Sequence, residues 1–147
     1  MDKKVAIGAD HAGFELKEKV KAFLSETGYD VNDFGTNSTD SVDYPLIAKA
    51  LATSVASKHP PRGILICGTG IGMSIAANKI KGIIAAHCCD VETAKLARQH
   101  NNSNILTIGG RITSAELAKD IVKAWLTTDF EGGRHQRRIQ EIRDLEK

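Results

Sequence analysis

Gly63-Ile-Leu-Ile-Cys67-Gly-Thr-Gly-Ile-Gly72-Met-Ser-Ile-Ala-Ala-Asn-Lys79 decides how the rest of the chain is read. Gly63 to Ile66 is a short apolar run rich in β-branched residues, the pattern of a buried strand. Cys67 stands at its carboxyl end. Gly68, Gly70 and Gly72 then alternate with Thr69 and Ile71, and small residues suited to a helix follow. A strand, a glycine turn and a helix start together present backbone N–H groups and the positive end of a helix dipole to an anion. Here a thiol sits on the rim of that cradle.

The same strand–loop–helix grammar extends in both directions. Lys4–Ala9 reads as the first strand, and Asp10-His11-Ala12-Gly13 as the loop leaving its carboxyl end. Leu16, Val20, Phe23 and Leu24 repeat at i, i+4, i+7, i+8 on one helical face, which Gly28 ends. Tyr29 to Phe34 alternates as a strand, and Tyr44-Pro45 opens a second helix with proline where its missing N–H costs nothing. Gly82 to Cys88 is another buried strand. Asp90 caps a helix running to about His100, and Ile105 to Ile108 is the fifth strand. Thr113 with Glu116 matches a capping box ahead of the next helix. Gly132-Gly133 separates that helix from a charged last one, Arg134 to Lys147, whose apolar stripe is only Ile139, Ile142 and Leu145.

Strands alternating with helices imply a parallel sheet of about five strands covered on both faces, an α/β three-layer sandwich of Rossmann-like type. Ligands bind at the carboxyl ends of such strands. Asp10 and His11, Cys67 to Gly72, and Arg111 all fall there. His100 and Asn101 do not, because the end of a helix points to the opposite edge. To join the site, that turn must reach a cleft by another route, such as a neighbouring subunit's. The thin stripe of the last helix, residues 132–147, suits an arm that packs on a partner.

Size and composition fit one domain spanning 1–147, at 41% hydrophobic and 26% charged residues. A net charge of +2, evenly spread, gives no footprint for nucleic acid. No apolar run approaches a membrane span, and Val5 to Ala9 is too short for the core of a signal peptide. Three cysteines, Cys67, Cys88 and Cys89, lack both disulfide-framework and zinc-site spacing. The expectation is a cytoplasmic protein with free thiols, no metal and no cofactor.

Three rival readings of the glycine loop fail on residues. A dinucleotide fingerprint needs Gly-x-Gly-x-x-Gly on the first unit, whereas here Gly-x-Gly-x-Gly lies on the third. A phosphate loop of the nucleotide-hydrolase type needs Gly-Lys-Ser/Thr, and no lysine follows Gly68. A phosphatase loop needs an arginine shortly after its cysteine, where Met73 stands. What is left is an oxyanion cradle with a thiol. Cys67 reads either as a small buried residue or as a thiolate base or nucleophile at a loop and helix start. Cys88 and Cys89, with no glycine cradle beside them, read as packing. His11 and His100 taken singly read as surface histidines. Arg134 and Arg138 share a helical face as either solvated charge or a phosphate clamp, and Asp10 suits a helix cap.

Taken together these residues resemble the ribose-5-phosphate isomerase B family, whose relatives include galactose-6-phosphate and allose-6-phosphate isomerases. The resemblance covers essentially the whole chain. It is carried by Gly-Ala-Asp-His-Ala-Gly at 8–13, Asp43-Tyr-Pro45, the run 63–72 with Ala-Ala-Asn-Lys at 76–79, Arg98-Gln-His-Asn101, and Glu131-Gly-Gly-Arg-His135. It implies interconversion of ribose 5-phosphate and ribulose 5-phosphate through an enediolate, without metal, in the non-oxidative branch of the pentose phosphate pathway. The position matching Cys67 supplies the base. Thr69 with the backbone of Gly68, Gly70, Ile71 and Gly72 stabilises the charged oxygen, and His100 assists ring opening. Asp10, His11, Asn101, Arg111, Arg134 and Arg138 match residues that bind sugar hydroxyls or phosphate, and Tyr44 lines the pocket. Sites of the family are shared between two subunits, which implies a homodimer or a dimer of dimers. One branch lacks the cysteine and uses a glutamate just after the glycines. Met73 and Ser74 stand there, so this chain matches the cysteine type.

The implied chemistry suits the residues. Removing a proton beside a carbonyl needs a positioned base, worth roughly 10²–10⁴-fold, and donors aimed at the developing oxyanion, each worth about 3 kcal/mol. The alternatives to a pentose phosphate are a six-carbon aldose phosphate as substrate, a non-catalytic sugar-phosphate-binding regulator, and a thiol redox sensor built on Cys67.

Overall fold

The computed structural model describes residues 2–146. Five parallel strands, β1 (Lys4–Ala9), β2 (Asp30–Asp33), β3 (Gly63–Cys67), β4 (Ala85–His87) and β5 (Ile105–Gly109), lie in the order β2-β1-β3-β5-β4. Between and after them run α1 (Phe14–Glu26), α2 (Tyr44–Ala56), α3 (Ile71–Ala77), α4 (Val91–Gln99), α5 (Ala115–Thr127) and α6 (Arg134–Asp144). The expected layered sandwich with a five-stranded parallel sheet is the one observed.

Position in the sheet explains the sequence pattern of each strand. The three central strands are apolar almost throughout because helices cover both faces, while β2 and β4 are edges and only partly buried. Side chains alternate between the faces. Val5, Ile7, Ile64, Ile66, Leu106 and Ile108 pack with α1, α4 and α5. Ala6, Leu65, Cys67 and Ile105 face α2 and α3. The helix after β1 thus lies on one face and the helix after β3 on the other, so the chain diverges between these neighbouring strands. That divergence opens a crevice at their carboxyl ends.

Several polar anchors were not foreseen. Lys17 of α1 is fully buried, and its Nζ meets both oxygens of Asp33 on β2, at 2.9 and 2.7 Å. Trp125 of α5 is buried to 0% exposure, and its indole N–H donates to Ser103 at 2.8 Å, which satisfies its one polar atom. The Arg62 guanidinium donates to the carbonyls of Leu126 and Asp2, each at 2.8 Å.

Two local expectations need correction. The cap of α5 is Ser114, whose Oγ accepts the Leu117 N–H at 3.1 Å. Thr113 precedes it and is buried, so Glu116 falls one place early for the reciprocal half of a capping box. β4 contracts from the expected Gly82–Cys88 to Ala85–His87, because Gly82 and Ile84 spend their backbone groups on Asn104 and Glu146 side chains. Asp90 caps α4 as expected, its carboxylate accepting the Thr93 N–H at 2.7 Å. Lys147, the expected end of the last helix, lies outside the described residues.

α6 crosses the amino edge of the sheet. Its Ile139 and His135 are buried against the chain, and Glu146 beyond it accepts the Gly82 N–H ahead of β4 at 2.9 Å. Of the expected stripe, Ile142 stays 40% and Leu145 82% exposed. No helix among the described residues is long and apolar enough to cross a membrane.

Candidate active site

Around the crevice between β1 and β3 an open cleft of about 460 Å³ is lined by Asp10, His11, Tyr44, Cys67 to Thr69, Ile71, Gly72 and Arg111, together with Ala12 and Ile75. Three strand ends and the start of α2 deliver these side chains. Backbone bonds lock the loops to one another. The Gly110 N–H donates to the Cys67 carbonyl at 2.7 Å, the Arg111 N–H to that of Gly68 at 3.0 Å, and the Asp10 N–H to that of Ile66 at 3.2 Å.

Cys67 is 5% exposed and its side chain turns toward the α3 side of the sheet. The Gly70 N–H donates to its sulfur at 3.2 Å, which ties the thiol to the glycine loop. Gly70 meets two demands at once. Its φ of 83° is left-handed, and a Cβ there would lie 2.7 Å from both the His87 ring and the Ile108 backbone. Gly72 is small for a different reason: a Cβ would strike the Tyr44 ring at 2.6 Å. The Thr69 hydroxyl accepts the Ile71 N–H at 3.2 Å and so braces the turn. Since α3 has only seven residues, individual N–H groups of the loop, more than a long helix dipole, set the local field.

Asp10 acts within its own loop rather than as the cap of α1. Its Oδ1 accepts the N–H groups of Ala12 and Gly13, both at 3.0 Å, and Gly13 is the residue that precedes the helix. The Val42 N–H donates to His11 Nδ1 at 3.2 Å, so the neutral ring carries its proton on Nε2. The Arg111 guanidinium lies beside Gly68, about where a Cβ at Gly68 would find it at 3.5 Å.

Four expected residues lie elsewhere. His100 is the C-cap of α4, followed by Asn101, at the amino edge where Asn104 pairs with the first residue of β3. Cys67 ends that same strand, roughly 13 Å further along at the usual rise per residue. Arg134 and Arg138 lie on α6 at that edge. There the His100 and His135 rings stack with centroids 4.4 Å apart, and Glu131 Oε1 lies 3.5 Å from His135 Nε2. Burial, followed by the nearby His100 and Arg134, holds His135 below the usual imidazole range.

Sequence reading overlooked Ile75 and His87. Ile75 had a signal, an apolar residue one helical turn after Ile71, both more than half exposed. His87 had none. It ends an edge strand, bonds the Thr107 hydroxyl through Nδ1 at 3.3 Å, and backs Gly70. Cys88 is packing, as expected: burial pushes its thiol up to about 11. Cys89, expected to pack as well, is exposed instead.

Relatives carry the same architecture. The model of the ribose/galactose isomerase family matches residues 5–142. Ribose-5-phosphate isomerase B of Escherichia coli is 50% identical over 145 residues, covering 99% of this chain and 97% of its own. A ribose 5-phosphate isomerase from Thermotoga maritima superposes with a TM-score of 0.95 at 54% identity, covering 98% of this chain and 99% of the other. Ribose-5-phosphate isomerase B of Mycoplasma genitalium, solved with bound ribulose-5-phosphate, superposes at 0.94 with 42% identity, over 97% and 95% of the two chains. Sequence, fold and the thiol-bearing glycine loop therefore place this chain in the ribose/galactose isomerase family.

Proposed function

We propose that the protein interconverts ribose 5-phosphate and ribulose 5-phosphate, with Cys67 as the base. The observation that carries this reading is the Gly70 N–H on the Cys67 sulfur, at the floor of a cleft lined by the glycine loop. With the sugar open, the thiolate takes the proton from C2 and the aldehyde oxygen gathers the charge of the enediolate. The loop N–H groups from Gly68 to Gly72, with Thr69, hold that oxygen. Return of the proton to C1 and transfer of the O2 proton to O1 give the ketose, with no net change in redox state. Asp10, Tyr44 and Arg111 line the sugar end.

His100, for ring opening, and Asn101, Arg134 and Arg138, for the phosphate with His11, come from a second copy of the chain. This homodimer reading is supported by their place at the opposite edge and by the apolar rim that Tyr44, Ile71 and Ile75 leave around the cleft. The exposed Ile142 and Leu145 at the end of α6 suit the same role. A phosphate held away from the reacting carbons lends its binding energy to orientation. A cytoplasmic setting belongs to the same proposal.

Assays on ribose 5-phosphate and allose 6-phosphate side by side test the substrate; a clear preference for the six-carbon sugar would reassign it. Cys67→Ala should lose roughly 10²–10⁴-fold in kcat with the fold intact by circular dichroism. Full activity in that variant would remove Cys67 from the mechanism.

A further inference from the structure

The amino-edge cluster of His100, Glu131 and His135 holds more than the proposed reaction uses. Donor atoms of the three side chains all lie within 4.8 Å of one another. They come from the cap of α4 and, beyond β5 and α5, from the loop before α6 and the first turn of α6. Backbone bonds hold these pieces together, with the Glu131 N–H donating to the Gln99 carbonyl at 3.1 Å and the His135 N–H to that of Gly132 at 3.1 Å. Cysteine spacing gave no hint of such a group, because none of its members is a cysteine.

We propose that His100, Glu131 and His135 bind one late transition-metal ion of the zinc type, and that its binding inhibits the enzyme by withdrawing His100. Two imidazoles and one carboxylate form an established three-ligand zinc set with an open fourth position. Zinc–ligand bonds near 2.0–2.1 Å require donors about 3.3 Å apart in a tetrahedron, so the cluster must contract by at most roughly 1.5 Å. The His100 ring must also turn out of its stack on His135, because an imidazole lone pair lies in the ring plane. Rotation of the exposed Glu131 and the half-buried His100 supplies that movement, while His135, buried in α6, is the fixed point. Arg134 and Arg138 lie close enough to act on His135. Their charge works against any cation, and with a single carboxylate the set lacks the several oxygen ligands that hard ions such as Mg²⁺ and Ca²⁺ need. Ions that bond strongly to imidazole, Zn²⁺ and Cu²⁺ foremost, are selected instead. The inhibitory half of this proposal rests on the isomerase reading; the binding half does not.

Cobalt(II) titration of the full-length protein, followed by visible absorption, reads binding apart from activity. One ion per chain is expected, with tetrahedral bands and no thiolate charge-transfer band. The Cys67→Ala/Cys89→Ser double variant should keep these bands, as should Glu131→Asp, which retains a carboxylate. Glu131→Gln and His135→Gln should lose them. In an isomerase assay scaled to each variant's own metal-free rate, both losses should raise the zinc concentration for half-inhibition at least ~10-fold, the effect that even an outer-shell partner's removal brings. Absence of bands in the wild type, their persistence in His135→Gln, or their loss in the cysteine double variant would overturn the site. Bands in a protein inactive on every aldose phosphate would refute the proposed function and leave the metal site standing. Bands without zinc inhibition would overturn the inhibitory role.

Discussion

At the scale of single residues, the glycine loop is built to a tolerance that a methyl group exceeds. Gly70→Ala would force a left-handed alanine and push its Cβ against His87 and Ile108. The loop must move, and the N–H on the Cys67 sulfur moves with it. We expect kcat/KM to fall about 100-fold, the usual penalty for an ångström of misplacement, while the thermal midpoint drops only modestly. An unchanged kcat/KM would mean that the loop's geometry is not limiting. Asp33 makes a separate prediction. Burial raises its pKa, but the bonds from Lys17, then Lys21, and from the Gly35 N–H outweigh that, so its carboxyl lies below the usual range. A depressed group contributes fully above the unfolded carboxyl pKa near 4 and loses that contribution as pH falls through the folded value. Stability against denaturant should therefore decline more steeply below about pH 4 in the wild type than in Asp33→Asn; parallel curves would count against it.

Among the elements, legibility followed how local the signal was. β1, β3 and β5 read correctly because helices on both faces make them continuous apolar runs. Edge strand β4 read too long, since nothing in an apolar run says that its flanks bond to side chains instead of a neighbouring strand. The start of α5 was misplaced by one residue because Thr113 and Ser114 are both competent caps, and only the backbone's turn chooses between them. That choice is measurable. Ser114→Ala should cost about 1 kcal/mol, a fall of roughly 4 °C in Tm. A silent Ser114→Ala would deny it the capping role. The cleft residues were legible because they follow strand ends in sequence. His87 was not, since its contact with Gly70 exists only once β4 lies beside β5.

On the scale of the whole molecule, one chain carries two groups of candidate residues at opposite edges of its sheet, which we propose are two half-sites. Cys67, the glycine loop, His11 and Arg111 share the carboxyl edge; His100, Arg134 and Arg138 share the amino edge. Sequence spacing foretold this separation, because helix ends in a parallel sheet face away from strand ends. It could not supply the partner surface, which depends on how two finished folds meet. In the proposed two-fold dimer each complete site would take Cys67 from one subunit and His100 from the other. Cys67→Ala and His100→Asn would each empty both sites, whereas a mixed dimer keeps one site whole. The most direct test is the ribose 5-phosphate isomerase rate of the two variants after unfolding and refolding together, with chelator present. Statistical pairing predicts recovery to about 25% of the wild-type rate from two nearly inactive parents. A mixture no more active than its parents, with mixed dimers shown by native mass spectrometry, would contradict the shared site.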